Sequence, residues 1–105
     1  MFDQARLYGK QGVHMILTPR ATSVTSLERW LVAGRAAAIT SGAFALSSNH
    51  VSTEKDEVQL GGQGWIIAPD GEVLGLTSKD EPFVTREIQL GVAEAAKETY
   101  PRYVF

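Results

Sequence analysis

The sequence predicts an α+β fold, with about five strands in a mixed sheet and two main helices on one face. Three observations carry this. A long apolar stretch over residues 25–41 has helical character throughout. An Asp70-Gly71 pair sits between two apolar runs, the strongest short-range hairpin signal. The helix-type segments come early and the strand-type segments late, which favours helices gathered on one side of a sheet over alternation along the chain.

In chain order, residues 2–11 form the first helix, with Phe2, Ala5, Tyr8 and Gly9 on one face and Asp3, Gln4, Lys10 and Gln11 polar. Gly12 fits the left-handed position that stops a helix. Residues 13–18 are a short strand, and Pro19 is expected to end it. The second helix opens at a capping box, in which Thr25 accepts from the Glu28 backbone N–H and Glu28 reaches back to Thr25. Leu27, Trp30, Leu31, Gly34, Ala38 and Ser41 make one face, while Val32, Ala33, Ala36, Ala37 and Ile39 fill much of the rest. The small residues remove bulk, so the helix is expected to be covered from two directions. Gly42 closes it, and residues 43–49 follow as a strand of small and apolar residues suited to the middle of a sheet.

Residues 50–60 are polar and carry four consecutive charges, as in a solvated loop. Residues 61–77 form two strands joined through Pro69-Asp70-Gly71. Residues 82–90 alternate in the manner of a fifth strand with one wet face. A short helix over residues 91–97 ends before Tyr100-Pro101, and Tyr103, Val104 and Phe105 form an apolar tail.

The chain has 105 residues, enough for one domain at most. An apolar fraction of 44% argues against disorder. A net charge of −2 without a basic stripe argues against nucleic acid as a partner. No apolar run is long enough to span a bilayer, and the first residues lack the pattern of a secretory leader, so no membrane partner and a cytoplasmic location are expected. With no cysteine, disulfides, thiolate metal ligands and a cysteine nucleophile are excluded from these residues.

Residue by residue, no self-contained active site emerges. His14 and His50 lack the spacing of a metal pair, so no metal and no cofactor are expected. Ser47, Ser48 and His50 suggest a nucleophile and base, but neighbours on a strand point to opposite faces and no carboxylate has an assigned place to orient the histidine. The glycines at 61, 62 and 64 precede a strand instead of a helix, which points to close backbone approach and not to a phosphate cradle. Arg35, a charge on an apolar helix, needs either an ion-pair partner or a pocket to face.

Three segments together resemble the C-terminal half of the nitrilase, or carbon-nitrogen hydrolase, superfamily. They are Ala5-Arg6-Leu7-Tyr8 through Gly12 to Pro19, Arg35-Ala36-Ala37-Ala38-Ile39 through Ser47-Ser48-Asn49, and the glycine-rich hairpin from Gly62 to Leu74. The resemblance covers essentially the whole chain, so residues 1–105 are expected to be one partial domain, half of an α-β-β-α sandwich. It implies hydrolysis of non-peptide carbon-nitrogen bonds in nitriles, amides or carbamoyl compounds by a cysteine nucleophile, a glutamate base and a lysine. By the same resemblance the glutamate and lysine belong to an N-terminal half, the cysteine falls just before Met1, and the chain alone is inactive.

Pro19, Arg20 and Asn49, at strand ends, are the positions the resemblance places beside substrate, and no catalytic residue is assigned. The chain departs from the family where Thr40-Ser41 replaces a common Glu-Asn pair, Ala37 a second arginine and Gly64 a serine. A homo-oligomer is expected, formed through the helix over residues 25–41, through the bare sheet face, or both. The alternative is a non-catalytic assembly module pairing with a partner that carries the N-terminal half. A small hydrolase using Ser47 or Ser48 with His50 is the third possibility.

Overall fold

A computed structural model describes residues 2–21, 24–49, 62–78 and 80–99. The elements are α1 (Phe2–Lys10), β1 (Met15–Arg20), a 3-10 turn at Val24–Ser26, α2 (Leu27–Ser41), β2 (Phe44–Asn49), β3 (Trp65–Ile67), β4 (Val73–Leu76) and α3 (Leu90–Ala96). The four strands form one sheet in the order β1-β2-β3-β4. β1 and β2 are parallel, as their helical crossover requires, and the two later pairs are antiparallel. The α+β class therefore holds, with β2 inside the sheet as its apolar composition implies.

The stop signals act as the sequence predicts. Gly12 and Gly42 have φ of 78° and 66°, and the Gly42 N–H donates to the Ala38 carbonyl. At the hairpin, Gly71 has φ of 91°, the Asp70 carboxylate accepts from the Glu72 N–H at 2.9 Å, and the Gly71 N–H donates to Ala68 at 2.9 Å.

Three expectations change. α2 begins at Leu27 after the 3-10 turn, so Ser26 is its N-cap residue, without a side-chain capping bond, and Thr25 does not hold the N-cap position of a capping box. Pro19 lies inside β1 and does not end it. The Phe44 N–H donates to the His14 carbonyl, and alternate residues turn their backbone groups to the same edge, so Met15, Leu17 and Pro19 turn theirs away from β2. Proline's missing donor thus removes no ladder bond. Finally, residues 82–89 form no strand. Their alternation is genuine, with Val84 and Ile88 half-buried between exposed neighbours, but it reflects side chains resting on the sheet instead of pairing at its edge. Val84 sits over Gly75, where an added Cβ would lie 2.8 Å from it, and the Arg86 Nε–H donates to the Leu74 carbonyl at 2.8 Å.

The core has two parts, one on each face of the sheet. Ala45, Trp65 and Ile67 pack beneath Ala38, with Trp30 and Leu31 beside them. Phe44 points the other way, to Ala93 of α3, with Leu46, Leu74 and Ile88 around it. α2 is covered from two directions. Gly34 lies on Trp65, and α1 brings Gly9 so close to Ser41 that a Cβ there would be 2.5 Å from the Ser41 carbonyl. Arg35, for which an ion pair and a pocket wall are the alternatives, donates its Nε–H to the Gly71 carbonyl at 2.8 Å, tying α2 to the hairpin turn; no ion pair to it forms among the described residues. The expected loop at residues 50–60, His50 and the tail from Tyr100 lie outside the described residues.

Candidate functional site

Parallel pairing brings two distant segments of sequence side by side. Arg20 is the register partner of Asn49, and Pro19 of Ser48. The three residues singled out from the sequence therefore meet at the C-terminal ends of β1 and β2, where loops and ligands gather in sheets of this kind. A cleft of about 490 Å³ opens there, lined among others by Pro19, Ser48, Asn49, Gly62, Thr77 and Phe83. Pro19 and Asn49 are on its wall.

Arg20 is not among the lining residues. Its Nε–H donates to the Ser47 hydroxyl at 2.6 Å, its Nη2 donates to the Gln63 carbonyl at 2.5 Å, and its guanidinium lies 3.8 Å above the Trp65 ring. The aromatic face attracts the cation. Burial lowers the Arg20 pKa from its ordinary value, yet arginine remains charged at any physiological pH. Arg20 thus ties β1 to β2 and to the backbone leading into β3, shaping the cleft from behind.

The Ser47 O–H donates to the Thr18 carbonyl, so the hydroxyl is held in the same network. Gly64 is pressed against β2: its N–H donates to the Thr77 hydroxyl at 2.7 Å, and an added Cβ would lie 2.5 Å from the Ser47 carbonyl. This is the close backbone approach that the glycine-rich stretch suggests. It also explains one departure from the family pattern, since a serine at Gly64 has no room. The other two have similar causes. Ala37 is buried, which leaves no room for an arginine, and Ser41 lies beneath Gly9 with its hydroxyl donating to the Ala37 carbonyl at 2.8 Å, so a larger asparagine there would press on α1.

The chemistry of the cleft is defined by what lines it. Thr18, Ser47, Ser48, Asn49 and Thr77 are among the residues lining it, and no Asp, Glu, His, Lys or Arg does among the described residues. Such a wall orients a neutral polar group through hydrogen bonds. General acid-base catalysis needs a titratable group within reach of the reacting atom, and none of the described lining residues supplies one. His14 is remote from it, 3.2 Å from Glu94 of α3. Among the described residues no group of three or more His, Cys, Asp or Glu could hold a metal, and no helix is long and apolar enough to cross a membrane.

The Arg20–Trp65 stack is what sequence reasoning missed. Its only signal is one tryptophan and one arginine at the ends of strand-type segments, and their meeting depends on sheet order.

Known proteins resemble this chain in sequence and in fold. The chain is 24% identical over 91 residues to a 2-oxoglutaramate amidase of Paenarthrobacter nicotinovorans, covering 87% of this chain and 31% of that protein. It is 26% identical over 100 residues to omega-amidase NIT2 of Xenopus tropicalis, covering 94% and 36%. The chain spans about a third of the length of these curated relatives. Among solved structures, Nit3 of Saccharomyces cerevisiae, a nitrilase-superfamily member, matches with a TM-score of 0.82 and 18% identity over 96% of this chain and 38% of that one. The C. elegans NitFhit protein matches with a TM-score of 0.86 and 21% identity over 98% and 25%. These structures show the fold alone. The carbon-nitrogen hydrolase family model matches residues 1–98, and with nearly the whole chain matched, this protein belongs to the carbon-nitrogen hydrolase family.

Proposed function

We propose that this chain is the C-terminal half of a carbon-nitrogen hydrolase acting on small amides, and that it supplies one wall of the substrate site. The observation that carries this is the pairing of a cleft with no ionisable side chain among its described lining residues with exposed apolar side chains around it. Leu17 and Phe83, both on the cleft wall, are 68% and 90% exposed. A wall that can orient an amide but cannot activate it fits half of a site.

In this proposal the Ser48 hydroxyl hydrogen-bonds the substrate amide, its register partner Pro19 gives a rigid apolar edge on the same face, Asn49 closes the end of the cleft, and Arg20 holds Ser47 and the Gln63 backbone in place behind them. The chemistry comes from residues outside this chain. A cysteine thiolate adds to the amide carbon, the carbon-nitrogen bond breaks and ammonia leaves with a proton from the glutamate. Water then hydrolyses the thioester to release the acid. Because two relatives are named as amidases of ω-amide compounds, 2-oxoglutaramate is the first substrate to test.

Ammonia release from 2-oxoglutaramate is expected to be absent for the 105-residue chain and to appear when an N-terminal half carrying cysteine, glutamate and lysine is supplied. Within such an assembly, Ser48→Ala should raise KM about tenfold, as expected for a lost hydrogen bond to substrate. Turnover by the chain alone would overturn the proposal. An assembly that forms but never turns over any nitrile, amide or carbamoyl compound would instead favour the non-catalytic assembly module. The exposed Leu17 and Phe83 also support self-association through the same face, which light scattering at micromolar concentration would detect as a dimer or larger species.

A further inference from the structure

Gly62 and Gly64 line the cleft and carry no side chain, so whatever places their backbone also shapes the cleft. One side chain engages both of them, that of Thr77 just past the end of β4. Its hydroxyl accepts from the Gly64 N–H at 2.7 Å and donates to the Gly62 carbonyl at 3.3 Å, using a lone pair and its one proton together. The Thr77 N–H adds a bond to the Gly64 carbonyl at 3.1 Å, and Arg20 holds the Gln63 carbonyl between the two glycines. Gly62 has φ of 68°, a left-handed conformation open to glycine.

Gly64 in turn presses on β2. A Cβ added to it would lie 2.5 Å from the Ser47 carbonyl and 3.4 Å from the Ser48 Cα. The backbone of Ser47 and Ser48 therefore cannot shift toward β3 without displacing Gly64, and Gly64 cannot be displaced without opening the Thr77 clasp. On its other side Ser48 is held by its register partner Pro19. We propose that Thr77 is the positioning residue for Ser48, acting through Gly64 to fix where the Ser48 hydroxyl stands in the cleft, a role that rests on Ser48 as the hydrogen-bond partner of the substrate. Thr77 lines the cleft as well, but its O–H is committed to Gly62, so it acts on substrate through Ser48.

Thr77→Val keeps the side-chain volume and the backbone bond to Gly64 while removing the clasp, and Thr77→Ser keeps the clasp. In the 105-residue chain, Thr77→Val should speed amide exchange at Gly64 about five- to tenfold, as expected for one lost hydrogen bond. It should also move the Ser48 side-chain resonances and leave exchange at Ile67, in the core, unchanged. Thr77→Ser should restore the original behaviour at all three positions. Equal acceleration at Gly64 and Ile67, unmoved Ser48 resonances, or a serine variant that behaves like valine would overturn the proposal. In the assembly with an N-terminal half, Thr77→Val should raise KM for 2-oxoglutaramate about threefold at unchanged kcat, a part of the loss expected for removing the Ser48 hydroxyl itself. In a Ser48→Ala background it should add nothing, because residues that act as one unit are not additive. A KM increase that persists without the Ser48 hydroxyl, or a fall in kcat alone, would also overturn it. An assembly that turns over no compound would defeat the amidase reading, while the exchange and resonance measurements would still decide whether Thr77 places Ser48.

Discussion

The two faces of the sheet are built on opposite plans. Toward α2, every large side chain has a matching small one: Trp65 fills the gap left by Gly34, Ile67 and Ala45 meet Ala38, and α1 closes over Ser41. Toward the other side, α3 and residues 82–89 cover only the part around Phe44 and Gly75, leaving Leu17 and Phe83 exposed beside the cleft. The first face is complete within this chain. The second is covered only in part by the described residues, which shows how one sheet can be tightly packed on one side and leave apolar side chains exposed on the other.

Substitutions should separate the two faces sharply. Trp65→Ala attacks the finished face at its largest side chain and removes the platform for Arg20, so it should cost about 3–5 kcal/mol in urea unfolding, enough to unfold much of a domain of ordinary stability. Gly34→Ala comes next. On an exposed helix it would gain about 1 kcal/mol, but its Cβ would lie 2.6 Å from the Trp65 ring, so a net loss of about 1–3 kcal/mol is expected. A gain in stability would show that the helix-sheet contact is looser than described. Arg20→Met keeps the aliphatic stem and removes the hydrogen bonds to Ser47 and Gln63, for an expected loss of about 1–2 kcal/mol and a changed Trp65 fluorescence.

On the other face, Leu17→Ser should shift stability by no more than about 0.5 kcal/mol, because the side chain is already mostly in water. The same change should weaken any association through that face, and a large loss of monomer stability would mean the two faces are not independent. The smallest effect belongs to Glu94→Gln. Its partner His14 and Glu94 itself are both substantially exposed, so the change should be within about 0.5 kcal/mol.

The elements that sequence made legible are those with local causes. Gly42, Gly12 and Asp70-Gly71 act through backbone conformation that only a few residues adopt readily, so their effect is visible in sequence alone. Pro19 was not legible, because whether a proline breaks a strand depends on which edge its nitrogen faces, and that is settled by pairing with β2. Residues 82–89 carry strand alternation for a tertiary reason, the packing of Val84 over Gly75. The breadth of apolar character in α2 correctly signals two covers, but sequence could not name α1 as the second. For the site, Pro19, Arg20 and Asn49 came from family resemblance, and the parallel register is what makes them neighbours. Arg20 standing behind the wall instead of on it follows from the Trp65 ring, which no local pattern connects to β1.

The outward turn of the Pro19 backbone has a consequence for how the protein behaves in solution. A sheet with one oily side and an open rim invites strand-by-strand growth, the geometry of fibrils, because each added strand recreates the same sticky rim. A residue without an N–H at that rim interrupts the template for the next strand. Growth strand by strand at the β1 edge is thereby disfavoured.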